Sequence, residues 1–205
     1  GNSHDNWGSA MSNLDALLTL RPQPDVDGPG FFSDGDMLQT CNFGFGGTNC
    51  NAARGQCPSK GHMTQDEYTA QFATWAALAS QMIISADLRN LQSAQPECFK
   101  LLKNADILAV SKVNTRSLIQ PRQQDCQLTG WEQDAAAHAP TVLFTNSVNS
   151  TETRDGHNVT RTTVTAHGFS RKMADGSVVL LFLNRQDRGS LTLTATWPYL
   201  GLPGS

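Results

Sequence analysis

The sequence is poor in charge. Only 16% of its 205 residues are charged, with Lys and Arg at 15 against 18 Asp and Glu, for a formal net charge of -3. That balance argues against nucleic acid or an acidic membrane surface as the main partner. With 39% hydrophobic residues the chain is neither a coiled coil nor a disordered tail. No run approaches the ~20 apolar residues of a membrane-spanning helix, so no membrane partner is expected. No basic-then-apolar leader opens the chain, which starts Gly1-Asn2-Ser3-His4-Asp5 without a Met; that start reads as a cut, by processing or by incomplete sequence. Gly-x-Gly-x-x-Gly, Walker and Gly-x-Ser-x-Gly motifs are absent, and no cofactor is expected. The length allows one medium domain or two small ones with a real core.

Five cysteines stand at 41, 50, 57, 98 and 126, three of them in one Gly/Asn-rich stretch. The odd count leaves one thiol over, and pairing stays open. Two sequons, Asn149-Ser150-Thr151 and Asn158-Val159-Thr160, lie in polar, turn-like sequence. Sequons together with clustered cysteines favour a secreted or lysosomal protein over a cytosolic one. A zinc set of Cys41, Cys50, Cys57 and His62 lacks a tight Cys-x-x-Cys pair and is disfavoured, so no metal is expected.

Two halves differ in texture. In residues 1–118, Trp7, Met11, Leu14, Leu17 and Leu18 recur at helical spacing, and Arg21-Pro22-Gln23-Pro24 stops the run. Thr64-Gln65-Asp66-Glu67 is a capping box, and the helix behind it places Tyr68, Phe72, Trp75, Ala76 and Ala79 on one stripe. Met82-Ile83-Ile84-Ser85 reads as a parallel strand buried on both faces, and Cys98 to Val110 as helical or ending in a short strand. This alternation is that of an α/β sheet or barrel. In residues 119–205, segments 141–144, 160–165 and 178–183 read as strands. Leu191, Leu193, Ala195 and Trp197 alternate with polar residues as on a half-buried strand. Asp175-Gly176 and Arg188-Gly189 sit where hairpin turns belong, giving a small antiparallel sheet or sandwich.

Certain strings occur in a fixed order: Asp5-Asn6-Trp7-Gly8-Ser9, Met11-Ser12-Asn13-Leu14-Asp15, Gly28-Pro29-Gly30-Phe31-Phe32-Ser33-Asp34-Gly35-Asp36-Met37-Leu38, Met63-Thr64-Gln65-Asp66-Glu67-Tyr68, Phe72-Ala73-Thr74-Trp75-Ala76-Ala77-Leu78 and Ile83-Ile84-Ser85-Ala86-Asp87-Leu88-Arg89. Together they resemble glycoside hydrolase family 27, the α-galactosidases and α-N-acetylgalactosaminidases, strongly over residues 1–118 and weakly beyond. The resemblance implies a fold of class α/β plus all-β. Residues 1–118 would be the C-terminal part of a (β/α)8 TIM barrel, contributing its seventh and eighth units, and residues 119–205 a partial antiparallel β-sandwich domain. A whole barrel takes about 250 residues, so the 205 residues alone are expected not to fold cooperatively.

Retaining glycoside hydrolysis uses two carboxyl groups about 5 Å apart, one attacking the anomeric carbon and one protonating the leaving oxygen. The family's nucleophilic Asp lies in a Lys-Tyr-Asp type segment that this sequence does not contain. Its acid/base Asp belongs to a Gly-Asp-Ile-x-Asp-x-Trp segment. Anchored on Trp7, that position falls on Asn2, whose amide cannot donate a proton as a carboxylic acid does; in a shifted register Asp5 is the nearest carboxylate. Asp34 and Asp36, two apart on an extended segment, would point to one side. They read either as a catalytic pair or as supports that satisfy backbone donors, and the resemblance implies the second. It also implies that Met37 packs against the sugar, where a thioether suits a pyranose C–H face; a core Met is the other reading. Asp87 and Arg89 read as an ion pair within a loop, Trp7 and Trp75 as core, and His4, His62, His138, His157 and His167 as solvated loop or strand-face residues.

The function expected from the resemblance is hydrolysis of terminal α-linked galactose with retention. The alternative is a catalytically inactive carbohydrate-binding or interaction protein on the same fold. The implied partner is an α-galactoside sugar, with a homodimer as an expectation for the full-length protein.

Overall fold

A computed structural model of the chain describes residues 4–20, 34–44, 62–111, 141–155, 157–173, 176–186 and 189–194. Helix α1 is Trp7–Leu20. Asn6 opens it, its side-chain oxygen accepting the Ser9 N–H at 2.8 Å, which satisfies one of the donors a helix start leaves over. Ala10, Met11, Leu14 and Leu17 face the core. Trp7 is half-buried, and its indole N–H donates to the Arg185 carbonyl at 3.3 Å.

Helix α2, Gln65–Ala77, starts on the expected capping box, with Thr64 and Glu67 exchanging side chain-to-backbone bonds. Tyr68, Phe72, Trp75 and Ala76 are buried as the stripe predicts. Ala79 departs from the expectation. It lies past the helix end at φ 54, because the turn that leads to Ser80 leaves the helical path.

The short apolar segment around Leu38 and the one around Ile84 pair in parallel, with α2 in the connection between them. Leu38 N donates to Ile83 O at 2.8 Å and Ser85 N to Leu38 O at 3.1 Å. The expected parallel pairing is therefore present, but burial on both faces is not. Ile83 is 50% and Ile84 38% exposed, because among the described residues nothing packs over their outer side. Three shorter helices follow: α3 Leu91–Ala94, α4 Pro96–Leu102 and α5 Ala105–Ser111. Asn104 separates the last two and caps α5 by accepting the Asp106 and Ile107 N–H groups, each at 3.1 Å.

A three-stranded antiparallel sheet, in the order β1-β2-β3, is built from Thr141–Arg154, His157–Lys172 and Val178–Asn184. Its first two strands run much longer than the expected 141–144 and 160–165, because a hairpin of Thr, Ser and Asn continues the ladder out to the Arg154–His157 pair. The sequons lie within these strands and not in turns. At the base, Gly168 makes room for the Phe144 ring, which a β-carbon there would strike, and Phe144 stacks against Phe182 with centroids 5.9 Å apart. Gly176, at φ 85, makes the expected turn into β3; Asp175 lies outside the described residues. Gly189, at φ 93, turns too, but Leu191–Thr194 is irregular and not the expected strand. None of these four residues is buried, so their alternation meets no covering face. Ala195, Trp197 and Arg188 lie outside the described residues.

Helices and sheet share one core. Phe169 and Leu183 pack into the cluster formed by Leu14, Leu17, Leu38, Tyr68, Phe72 and Trp75. At its edge the Arg185 guanidinium forms a bidentate pair with Asp15, at 2.5 and 2.9 Å.

Candidate functional site

The acid-bearing turn before Leu38 is held from behind by α2. Gly35 is buried against Trp75 and Ser80. Its N–H donates to Ser80 Oγ at 2.8 Å, and a β-carbon there would lie 2.7 Å from the Trp75 ring. The Trp75 indole N–H in turn donates to the Asp36 carbonyl at 3.0 Å. Asp34 is exposed, and its Oδ1 accepts the Asp36 N–H at 2.8 Å; Asp36 Oδ1 accepts the Met37 N–H at 2.7 Å. The two carboxylates therefore satisfy backbone donors, as the second sequence reading has it.

The expected extended geometry is absent. Asp36 stands at φ 67, in the left-handed region that Asp and Asn tolerate through local hydrogen bonds, so strand alternation does not place the two side chains on one side. Asp36 Oδ2 is buried with no hydrogen-bond partner among the described residues, which leaves a polar oxygen unsatisfied beside Met37. Met37 itself is 41% exposed and is not a core methionine here. Asn2 lies outside the described residues.

Asp5, the other carboxylate near that position in sequence, is committed elsewhere. Its Oδ2 accepts the Gly44 N–H at 2.9 Å and the Tyr68 hydroxyl at 2.8 Å, and its Oδ1 the Met63 N–H at 3.1 Å. Burial, more than any neighbour, pushes the Tyr68 phenol far above its ordinary value, so it remains a donor to Asp5; it also accepts the Phe43 N–H at 2.9 Å. Asp5 thus pins the start of the chain to the loop after Leu38 and to the approach to α2. The spacing of these residues carries no signal for that triple contact. Cys41 sits in the same loop and forms a disulfide with Cys98 at the end of a 57-residue separation. This withdraws Cys41 from the zinc set, whose Cys50 and Cys57 lie outside the described residues. No cluster of three or more His, Cys, Asp or Glu side chains suited to a metal ion occurs among the described residues.

Asp87 and Arg89 make the expected ion pair, with Nη2 2.6 Å from Oδ2. The hydrogen bond from Arg89 lowers the Asp87 carboxyl to about 2. Two histidines depart from the expected solvated setting. His62 is half-buried, stacked on Tyr68 and edge-on to Phe43, with Nδ1 2.7 Å from the Met63 carbonyl. His167 is 3% exposed and lies against Phe169, because its strand position faces the helices and not water. Burial, then repulsion from Arg185, lowers it to about 4, against a smaller opposing pull from Asp15. His157 is exposed and His4 half-buried; His138 lies outside the described residues.

Comparison with known proteins found α-N-acetylgalactosaminidase of Rattus norvegicus, 31% identical over 110 residues, which are 53% of this chain and 21% of that protein. Alpha-galactosidase 3 of Arabidopsis thaliana is 30% identical over 104 residues, 49% of this chain and 19% of that protein. Alpha-galactosidase A of Homo sapiens is 27% identical over 143 residues, 69% of this chain and 28% of that protein. The chain is thus related in sequence to α-galactosidases and α-N-acetylgalactosaminidases, and its match spans about a fifth to a quarter of their length. No family model matches, and no solved structure matches.

Proposed function

We propose that this chain is the C-terminal portion of an α-galactosidase-like retaining glycoside hydrolase acting on terminal α-linked galactose. Residues 1–118 supply the last two units of a (β/α)8 barrel and residues 119–205 an antiparallel β domain. The observation that carries this reading is the parallel pairing of Leu38 with Ile84 across α2, the geometry of two successive barrel strands, made by two of the segments whose strings resemble the glycosidase family. In this assignment Met37, beside the strand, presents its thioether to the sugar, and Asp34 and Asp36 fix the turn that holds it. Asn2 stands at the acid/base position, and the nucleophile comes from outside these 205 residues. The partner is the α-galactoside sugar, and the full-length protein is a homodimer. The Cys41–Cys98 disulfide supports a secreted or lysosomal setting. Among the described residues no helix is long and apolar enough to cross a membrane.

One observation favours the second reading, a catalytically inactive sugar-binding or interaction protein. Asn2 offers no acid, and both oxygens of Asp5 already accept hydrogen bonds, so that carboxyl is not free to take the amide's place. A chromogenic α-galactoside separates the two. The full-length protein is expected to release the chromophore and the 205 residues alone are not. Met37→Ala in the active protein should raise KM roughly tenfold, the equivalent of losing about 1.4 kcal/mol of apolar contact. No turnover by the full-length protein overturns the hydrolase reading, and turnover by the 205 residues alone overturns the assignment of the nucleophile to a place outside them.

A further inference from the structure

The β1–β2 ribbon is exposed on both faces over most of its length, and its register brings together two features that lie apart in the sequence. Asn149 pairs with Thr162, Thr151 with Thr160 and Thr153 with Asn158. Alternate residues of a strand share a face, so both sequon asparagines and both sequon threonines line one side of the ribbon. Four residues of β2 separate Asn158 from the partner of Asn149, which sets the two sites about 13 Å apart.

A ladder of side-chain hydrogen bonds fixes how each amide is turned. Thr162 Oγ1 donates to Asn149 Oδ1 at 2.8 Å, Thr153 Oγ1 to Asn158 Oδ1 at 3.0 Å, and Thr151 and Thr160 meet through their hydroxyls at 3.3 Å. In both asparagines the oxygen is engaged and the side-chain nitrogen is left toward solvent.

We propose that Asn149 and Asn158 are a pair of N-glycosylation sites presented together on this face, taking an oligosaccharide from a lipid-diphosphate donor. In each transfer the asparagine nitrogen bonds to C1 of the sugar, and the C1–O bond to the diphosphate breaks. The lipid diphosphate leaves with that electron pair, the amide loses one proton, and nothing is oxidised or reduced. The attached nitrogen is the one the ladder leaves open, so the modified residues keep their Oδ1 bonds and the ribbon its register. The hydroxyl two residues on, which the acceptor signal needs, is present at both sites. This inference rests on the secretory reading given above.

The test is peptide mass spectrometry of the protein from its natural cells and from a eukaryotic secreting host, before and after enzymatic removal of N-linked glycans. Release should convert Asn149 and Asn158 to Asp. Thr151→Ala should abolish the modification at 149 alone and Thr160→Ala that at 158 alone, while Thr151→Ser should retain it. A protein that reaches the secretory pathway with both asparagines unmodified overturns the proposal and leaves the compartment standing. A natural protein confined to the cytosol overturns both.

Discussion

At the scale of single residues, the turn that holds Met37 depends on the absence of a side chain. Gly35 sits where a β-carbon would lie 2.7 Å from the Trp75 ring and 2.8 Å from Ser80 Oγ, and a rigid, fully buried indole cannot swing aside. Gly35→Ala is expected to destabilise by about 1–3 kcal/mol, read as a lowered urea midpoint, and to increase protease cleavage around Asp34–Met37. His167 carries a pH dependence. Its ordinary value of 6.5 is lowered in the folded chain to about 4, so the unfolded chain binds the proton first. The stabilisation from keeping this imidazole neutral is present above pH 6.5 and lost as pH falls toward 4, on the order of 3 kcal/mol in all. Denaturation midpoints measured across that window should fall with acid, and less steeply in His167→Gln; equal slopes would remove His167 as the cause. Neither residue announced its setting in the sequence. Glycine 35 acquires its meaning from a tryptophan forty residues on, and His167 stands in polar sequence whose buried face only the register of β2 selects. The same distance hides the three bonds to Asp5.

At the scale of elements, local chemistry was legible and long-range cover was not. The period of α1 and the capping box of α2 depend on neighbours within a few residues, and both appear where the sequence puts them. The β1–β2 hairpin is underestimated because Asn, Ser and Thr occupy both of its faces, which erases the alternation that marks a half-buried strand; its ladder is held by cross-strand hydroxyl and amide bonds instead. The pairing of Cys41 with Cys98 could not be selected from five candidates, since it requires the loop after Leu38 to lie beside α4. That bond closes 57 residues, including all of α2. Replacing both cysteines with serine is expected to cost about 4 kcal/mol on the chain-entropy account, seen as a lower thermal midpoint that added reductant does not lower further. A reductant effect equal to that on the unaltered chain would exclude this bond as the source.

At the scale of the whole molecule, the described parts join into one core while leaving an apolar flank. Ile83, Ile84 and Leu88 are 38–57% exposed beside the parallel bridge of Leu38 and Ile84, where a barrel would place its next strands and its interior side chains. The 205 residues expressed alone are expected to bind an apolar dye at this flank and to unfold over a broad temperature range, with dye binding reduced by Ile83→Ser and Ile84→Ser together. A dye-silent monomer with a sharp, reversible transition would contradict it. Hydrophobicity alone suggested a segment covered on both sides, and the exposure of Ile83 and Ile84 corrects that, because cover comes from residues distant in the sequence. The proposed acid/base position is the least legible part, because Asn2 lies outside the described residues.

The indole of Trp75 is fully buried and hydrogen-bonded to the backbone of Asp36, immediately before the methionine assigned to the sugar. An occupant that displaces this peptide by a fraction of an ångström would alter the electronic surroundings of the chromophore. Its emission wavelength therefore offers an intrinsic optical gauge of ligand arrival, readable without label or turnover even in a protein that performs no chemistry.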